Sequence, residues 1–104
     1  MHGGDYSVYI LRCADGSLYT GIAVNVERRV DEHRRGMRGA KYLRGRLPVE
    51  LVFECPAGDR ASAQRLEHRV KRLSRLQKEA VVAGELGVDG LREKPGQTSG
   101  AGAG

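Results

Sequence analysis

The sequence predicts a small α+β domain, a three-stranded, mainly antiparallel sheet flanked by helices in the order β-β-α-β-α-α. Three observations predict it. Two strand-like runs, residues 6–13 and 17–23, are joined by a glycine turn. Residues 49–55 alternate apolar and acidic side chains, and two later segments carry apolar residues at helical spacing. At 104 residues the chain has room for one domain with a modest core.

Residues 1–5 read as a loose leader. Residues 6–13 (YSVYILRC) are rich in β-branched and aromatic side chains, which suit a pleated surface. Ala14-Asp15-Gly16 supplies a turn, and residues 17–23 (SLYTGIA) a second strand, so the pair reads as a hairpin. Its register decides which side chains share a face. A two-residue Asp15-Gly16 loop sets Arg12 opposite Tyr19 and turns Tyr9 to the other face. A three-residue loop with Gly16 left-handed sets Leu11 opposite Tyr19 and Tyr9 opposite Gly21, so the tyrosines share a face. The pattern of residues leaves both open.

Asn25 is a good N-cap for a helix over residues 26–36. Val26, Val30, His33 and Met37 form its inward stripe, with Arg29 at the edge. Residues 34–46 (RRGMRGAKYLRGR) then hold six Lys or Arg and no acid. Val49, Leu51, Phe53 and Cys55 alternate with Glu50 and Glu54, giving a half-buried third strand that Pro56 and Gly58 end. Asp59 caps a helix over about 60–74, with Ala63, Leu66, Val70 and Leu73 inward, and a shorter helix spans about 76–84. The domain is expected over residues 6–83. Residues 84–104 are glycine-rich and too poor in apolar side chains to order themselves, so they read as a disordered tail.

The net charge is +5 and the pI near 9.6, a balance that attracts phosphate backbones, anionic membrane surfaces or acidic partners alike. No apolar run reaches the ~20 residues of a membrane span, and nothing reads as a secretory signal. Cys13 and Cys55 stand alone in apolar stretches and read as small buried hydrophobes of a reducing, cytoplasmic compartment. A zinc site from them with two of His2, His33 and His68 lacks the usual close pair of ligands.

Phosphodiester hydrolysis needs a group that deprotonates or orients a nucleophile, charge that offsets the phosphorane, and usually a held metal. Tyr9 and Tyr19 are candidates for the first, although strand tyrosines more often simply pack. Arg29 and His33, at i and i+4, lie toward the apolar side of their helix, where a merely solvating charge is misplaced. Glu67, beside Leu66 and Val70, is otherwise a surface i,i+4 partner of Lys71. Each residue singly is better explained by its structural role.

Together they resemble something specific. Ser7-Val8-Tyr9, Tyr19-Thr20-Gly21 ten residues on, then Asn25, Arg29 and His33, then Glu67 in a late helix, resemble the GIY-YIG nuclease superfamily, and its small stand-alone bacterial members above all. The openings VYILRCADGSLYTG, GAKYLRGRLPVELV and RLEHRVKRLSRLQKEA carry the likeness over about residues 6–83. The resemblance implies a metal-dependent nuclease site laid across the sheet. The tyrosine matching Tyr19 is implied as general base or water-positioning group, with Tyr9 supporting the site. Arg29 is implied to offset charge on the scissile phosphate, and His33 to hydrogen-bond into the cluster. Glu67 is implied as the single ligand of Mg²⁺ or Mn²⁺, an adequate site because magnesium keeps most of its waters. The resemblance also favours the three-residue hairpin loop, with Gly21 leaving room for a phosphate or a water beside Tyr9.

Four positions depart from the pattern. Ser7 replaces a glycine, Thr20 an isoleucine, and Ile22 stands where some relatives carry lysine. Many members also use an asparagine after the glutamate, and the only asparagine here is Asn25. An ionised tyrosine at pH 7 costs roughly 4 kcal/mol unless a neighbouring cation offsets it. In the basic stretch, Arg38, Lys41, Arg44 and Arg46 are candidate phosphate contacts, and Tyr42 a candidate stacking residue. The resulting expectation is an endonuclease acting on DNA rather than RNA, in repair or recombination, with a protein partner able to supply specificity. Nothing in the chain marks an oligomeric state. The alternatives are a catalytically idle nucleic-acid-binding module on the same scaffold, or a subunit lending its fold to a larger repair complex.

Overall fold

The computed structural model describes residues 5–35 and 46–91. Strand β1 (Tyr6–Cys13) is the centre of the sheet, between β2 (Leu18–Ala23) and β3 (Val49–Gly58), and both pairings are antiparallel. Helix α1 (Val26–Arg35) follows β2; α2 (Arg60–Lys71), α3 (Arg75–Val82) and a 3₁₀ helix (Val88–Leu91) follow β3. The architecture is the expected α+β order.

The central position explains the sequence of β1. Val8, Tyr9, Ile10 and Leu11 are consecutive, and none is more than 2% exposed. Such a run suits a strand covered on both faces. Val8 and Ile10 pack with Ala63, Leu66, Val70, Val81 and Val88, so α2, α3 and the 3₁₀ helix cover one face. Tyr9, Leu11 and Cys13 pack with Val26 and Val30 of α1 on the other. A buried Leu66 or Val70 contributes about 1.5–3 kcal/mol, so two thin layers share the work of one core.

The hairpin has the three-residue loop. Leu11 pairs with Tyr19 and Tyr9 with Gly21, which puts both tyrosines on the α1 face. Gly16 has φ 87°, a left-handed conformation that glycine alone adopts without strain. The Gly16 N–H donates to the Cys13 carbonyl at 2.8 Å, and Asp15 Oδ1 accepts from the Ser17 N–H at 3.0 Å.

Strand β3 departs from expectation twice. Pro56 does not end it, because the strand continues to Gly58. Tyr6 pairs with Gly58 but Ser7 with Pro56, leaving Ala57 as an extra residue in a bulged edge strand. At such a place the missing proline N–H breaks no ladder bond. Nor does its alternation line one face. Ile10 pairs with Phe53 and Leu11 with Leu51, so Val52 is extra and the strand changes sides there. Val49 and Leu51 join the α1 layer, whereas Phe53 and Cys55 join the α2 layer.

The helix starts are capped as expected: Asn25 Oδ1 accepts from the Arg28 N–H at 3.0 Å and Asp59 Oδ1 from the Ser62 N–H at 2.8 Å. Ser74 and Gln77 cap α3 reciprocally. Both later helices are shorter than predicted, ending at Lys71 and Val82. Arg12 donates both arms of its guanidinium to Glu79, at 2.8 and 2.9 Å. Arg75 bonds both Glu79 and the Gly16 carbonyl, so one carboxylate ties α3 to β1 and to the hairpin turn. The two guanidiniums hold the Glu79 carboxyl down at about 2.

The packed elements also run past residue 83. Val88 is 8% exposed and belongs to the α2-side core. Val88 and the partly buried Leu91 stand among glycines with no periodicity to reveal them. Residues 92–104 and 1–4 lie outside the described residues. Among the described residues no helix is long and apolar enough to cross a membrane, and no disulfide forms.

Candidate active site

Side chains from four elements line one cleft of about 200 Å³: Tyr9 of β1, Tyr19 of β2, Arg29 and His33 of α1, and Glu67 of α2, with Gly21 and Ile22. The tyrosines face α1 because two-residue alternation and the loop register put them there. Their ring centroids are 6.4 Å apart. His33 meets the Tyr19 ring edge-on, with centroids 5.8 Å apart, and its Nε2 lies 3.2 Å from the Tyr9 hydroxyl. It is 3% exposed, and its Nδ1 has no hydrogen-bond partner among the described residues. Burial first, then the Arg29 charge, lowers the His33 pKa against a weaker pull from Glu32. The imidazole is therefore neutral at pH 7 and serves Tyr9 as donor or acceptor according to its tautomer.

Gly21 is required for a reason other than the one expected. A Cβ there would lie 2.6 Å from the Tyr9 hydroxyl and 2.7 Å from its ring carbon. The phenol itself, rather than a phosphate or a water, fills the space. Gly21→Ala is therefore expected to push Tyr9 off His33 and to cost about 1–3 kcal/mol of stability, as overpacking does. Thermal melts of the variant check this; an unchanged Tm would mean that Tyr9 swings aside freely.

Glu67 reaches the cleft from the opposite layer, since α2 covers the Val8–Ile10 face. The cleft therefore wraps over β2, the outer strand of the sheet. The Glu67 carboxylate lies 3.3 Å from Lys71 Nζ. Burial, the Tyr19 phenol and Glu67 raise the Tyr9 pKa far above its usual value against an opposing Arg29. Burial and then Glu67 raise Tyr19, again against Arg29. Both phenols are protonated through the neutral range.

Sequence reasoning missed Glu32. Its carboxylate lies 3.4 Å from Arg28 Nε and 4.0 Å from Arg29 Nε, so it tethers the arginine that faces the cleft. The Arg28–Glu32 spacing of i,i+4 was the available signal. Of the expected nucleic-acid contacts, Arg38, Lys41, Tyr42 and Arg44 lie outside the described residues. Arg46 is described and is committed to the hairpin turn: its carbonyl accepts from the Ala14 N–H at 2.9 Å, and its Nε pairs with Asp15 at 3.0 Å.

The donor set limits any metal. Among the described residues the cleft offers one carboxylate and no thiolate, and no three His, Cys, Asp or Glu gather as a ligand group. That excludes a closed zinc site within these residues but fits a hard cation that keeps its waters and takes phosphate oxygens.

Three comparisons bear on this arrangement. A family model described as the GIY-YIG catalytic domain matches residues 5–80. A UPF0213 protein of Cronobacter sakazakii is 47% identical over 91 residues, covering 88% of this chain and 95% of that protein. Another, of Natronomonas pharaonis, is 54% identical over 83 residues, or 80% of this chain and 96% of its own length. The solution NMR structure of a UPF0213 protein from Bacillus halodurans is 46% identical, with a TM-score of 0.50 over 80% of this chain and 87% of that one.

Proposed function

The chain belongs to the GIY-YIG catalytic domain family, and we propose that it is an endonuclease hydrolysing DNA phosphodiester bonds with one Mg²⁺ or Mn²⁺. The observation that carries the reading is the convergence of Tyr9, Tyr19, Arg29, His33 and Glu67 on one cleft from four elements and two layers. Glu67 is the residue that would hold the cation, exchanging Lys71 for it. When bound, such a cation polarises a phosphate oxygen and offsets developing charge. Arg29, held by Glu32, places a second positive charge where the phosphorane forms. Tyr19 orients the attacking water and takes or relays its proton. Tyr9 and His33 fix the wall against which Tyr19 packs. The reading extends to DNA ahead of RNA, to the cytoplasm, and to repair or recombination with a partner protein supplying specificity. Arg38, Lys41, Tyr42 and Arg44 form its expected strand-holding stretch, with Arg46 anchoring the end of that stretch to the hairpin turn, within a catalytic unit starting at residue 6.

The Lys71 ammonium already on Glu67 favours a second reading, a nucleic-acid-binding module that no longer cuts. Incubating the purified chain with labelled single-stranded, duplex and branched DNA, with and without Mg²⁺ or Mn²⁺, separates the two. Cation-dependent cutting is the expected result. Tight binding with no cutting of any substrate gives the module reading the lead.

A further inference from the structure

A second hollow, of about 380 Å³, adjoins the tyrosine cleft and shares two of its walls, Ile22 and Arg29. It forms where the β1–β2 ladder ends, at the Ser7–Ala23 pair, and the chain turns through Val24 and Asn25 into α1. Tyr6 of β1 borders it, as do Arg28 and Glu32 of α1.

A wet hollow at the end of a hairpin is commonplace, and three features set this one apart. The first is size. The tyrosine cleft, at about 200 Å³, is smaller than the ~300–1,000 Å³ of pockets that enclose a small-molecule ligand, whereas the hollow falls within that range. The cleft has room for a phosphate, so the attached nucleoside must lie beside it. The second is continuity. Arg29 borders both spaces, and a strand whose phosphate meets Arg29 carries its neighbouring nucleoside to the hollow.

The third is the mixture of side chains, which suits a base better than a second phosphate. Tyr6 is partly buried and Val24 is 47% exposed, so the hollow has an aromatic ring and a bare aliphatic side chain in its walls. Glu32 would repel a phosphate. Its contacts with Arg28 and Arg29, at 3.4 and 4.0 Å, leave its carboxylate free to accept from a base edge as well. Asn25 spends its Oδ1 on the Arg28 N–H as the helix cap, which leaves its amide N–H groups to donate. Flat apolar faces with donors and acceptors around the rim describe a nucleobase, and Arg28 adds a guanidinium plane of the kind on which bases stack.

We propose that this hollow receives the base of the nucleotide adjoining the scissile phosphate, with Tyr6 and Val24 against its face and the Asn25 amide and Glu32 at its edge. The inference rests on the nuclease reading above. A base enclosed in this way is neither stacked nor paired in a duplex, so the substrate implied is unpaired beside the cut: a single strand, a flap or a frayed end.

The test is an NMR titration in EDTA, so that nothing is cut, with two probes: a single-stranded dC hexamer and a hexamer of stable abasic sites. Both should shift the amides of Tyr19 and Arg29. Only the dC hexamer should shift Val24 and the Asn25 side-chain amide, and it should bind at least about tenfold tighter, as one stacked base provides. Tyr6→Ala should remove that advantage and leave the abasic affinity unchanged, while Tyr6→Phe keeps it. Because Tyr6 also packs on the α2-side core, Asn25→Ser is the second variant. Serine keeps the helix cap and removes the amide, so dC binding should fall severalfold and abasic binding should hold. A parent that binds both hexamers equally, or variants that weaken both equally, would overturn the base site and leave the nuclease reading standing. A parent that binds neither would overturn both.

Discussion

Replacing Glu67 with glutamine is expected to lower cation-dependent cleavage about a thousandfold while leaving DNA binding unchanged or stronger. The size follows from the role: a divalent cation at a phosphoryl centre contributes several kcal/mol, and about 4 kcal/mol is a factor of roughly a thousand. Glutamine keeps the shape of the side chain but lacks the charge that draws the cation in. Among the described residues Glu67 is the only carboxylate lining the cleft, so no described neighbour there takes over. Binding should hold because Lys71, now 3.3 Å from Glu67, is released to face the phosphates. Cleavage rates across a range of Mg²⁺ concentrations, with binding measured in EDTA and a thermal melt as control, check all three points. Surviving Mg²⁺-dependent cutting in a folded variant would place the cation elsewhere.

Tyr19→Phe is expected to cost about 10²- to 10⁴-fold in rate, the range of a lost general acid–base or water-orienting group. The ring remains, so its edge contact with His33 and its packing on Tyr9 survive. The pH profile assigns the role. Burial and the Glu67 charge raise the Tyr19 pKa above its ordinary value, so below that pKa the phenolate is the minor form. Its population rises tenfold with each pH unit. If Tyr19 is the base, the parent rate should climb about tenfold per unit from pH 6 to 9, and the phenylalanine variant should be flat. A slope retained in the variant leaves Tyr19 as an orienting hydroxyl and assigns the titration to another group. Arg29 and a cation at Glu67 both lower the phenol pKa, so the climb should level off earlier when Mn²⁺ or Mg²⁺ is saturating.

Much of this arrangement was legible because it depends on local pattern. The hairpin itself was legible, but its residues left two registers open, and only the family resemblance favoured the one that brings Tyr9 and Tyr19 to one face. The inward stripe of α1 carries Arg29 and His33 to the same place by helical periodicity. What was not legible depends on partners distant in the chain. The alternation of Val49 to Cys55 looks like a one-sided strand, and only pairing with β1 shows Val52 as the bulge that divides it between layers. Pro56 reads as a stop unless the strand is known to be an edge. Val88 is one valine among glycines until α2 is there to receive it.

The assembly of the cleft from two layers has a consequence for the protein as it is being made. Tyr9, Tyr19, Arg29 and His33 come together once β1, β2 and α1 have docked, all within the first 35 residues. Glu67 comes from α2, which follows β3 in the chain and covers the far face of the sheet. A chain without α2 in place thus has Arg29 and both phenols but lacks the Glu67 carboxylate. On the nuclease reading proposed above, cutting needs a sheet covered on both sides, because Glu67 comes from the layer opposite the other four side chains.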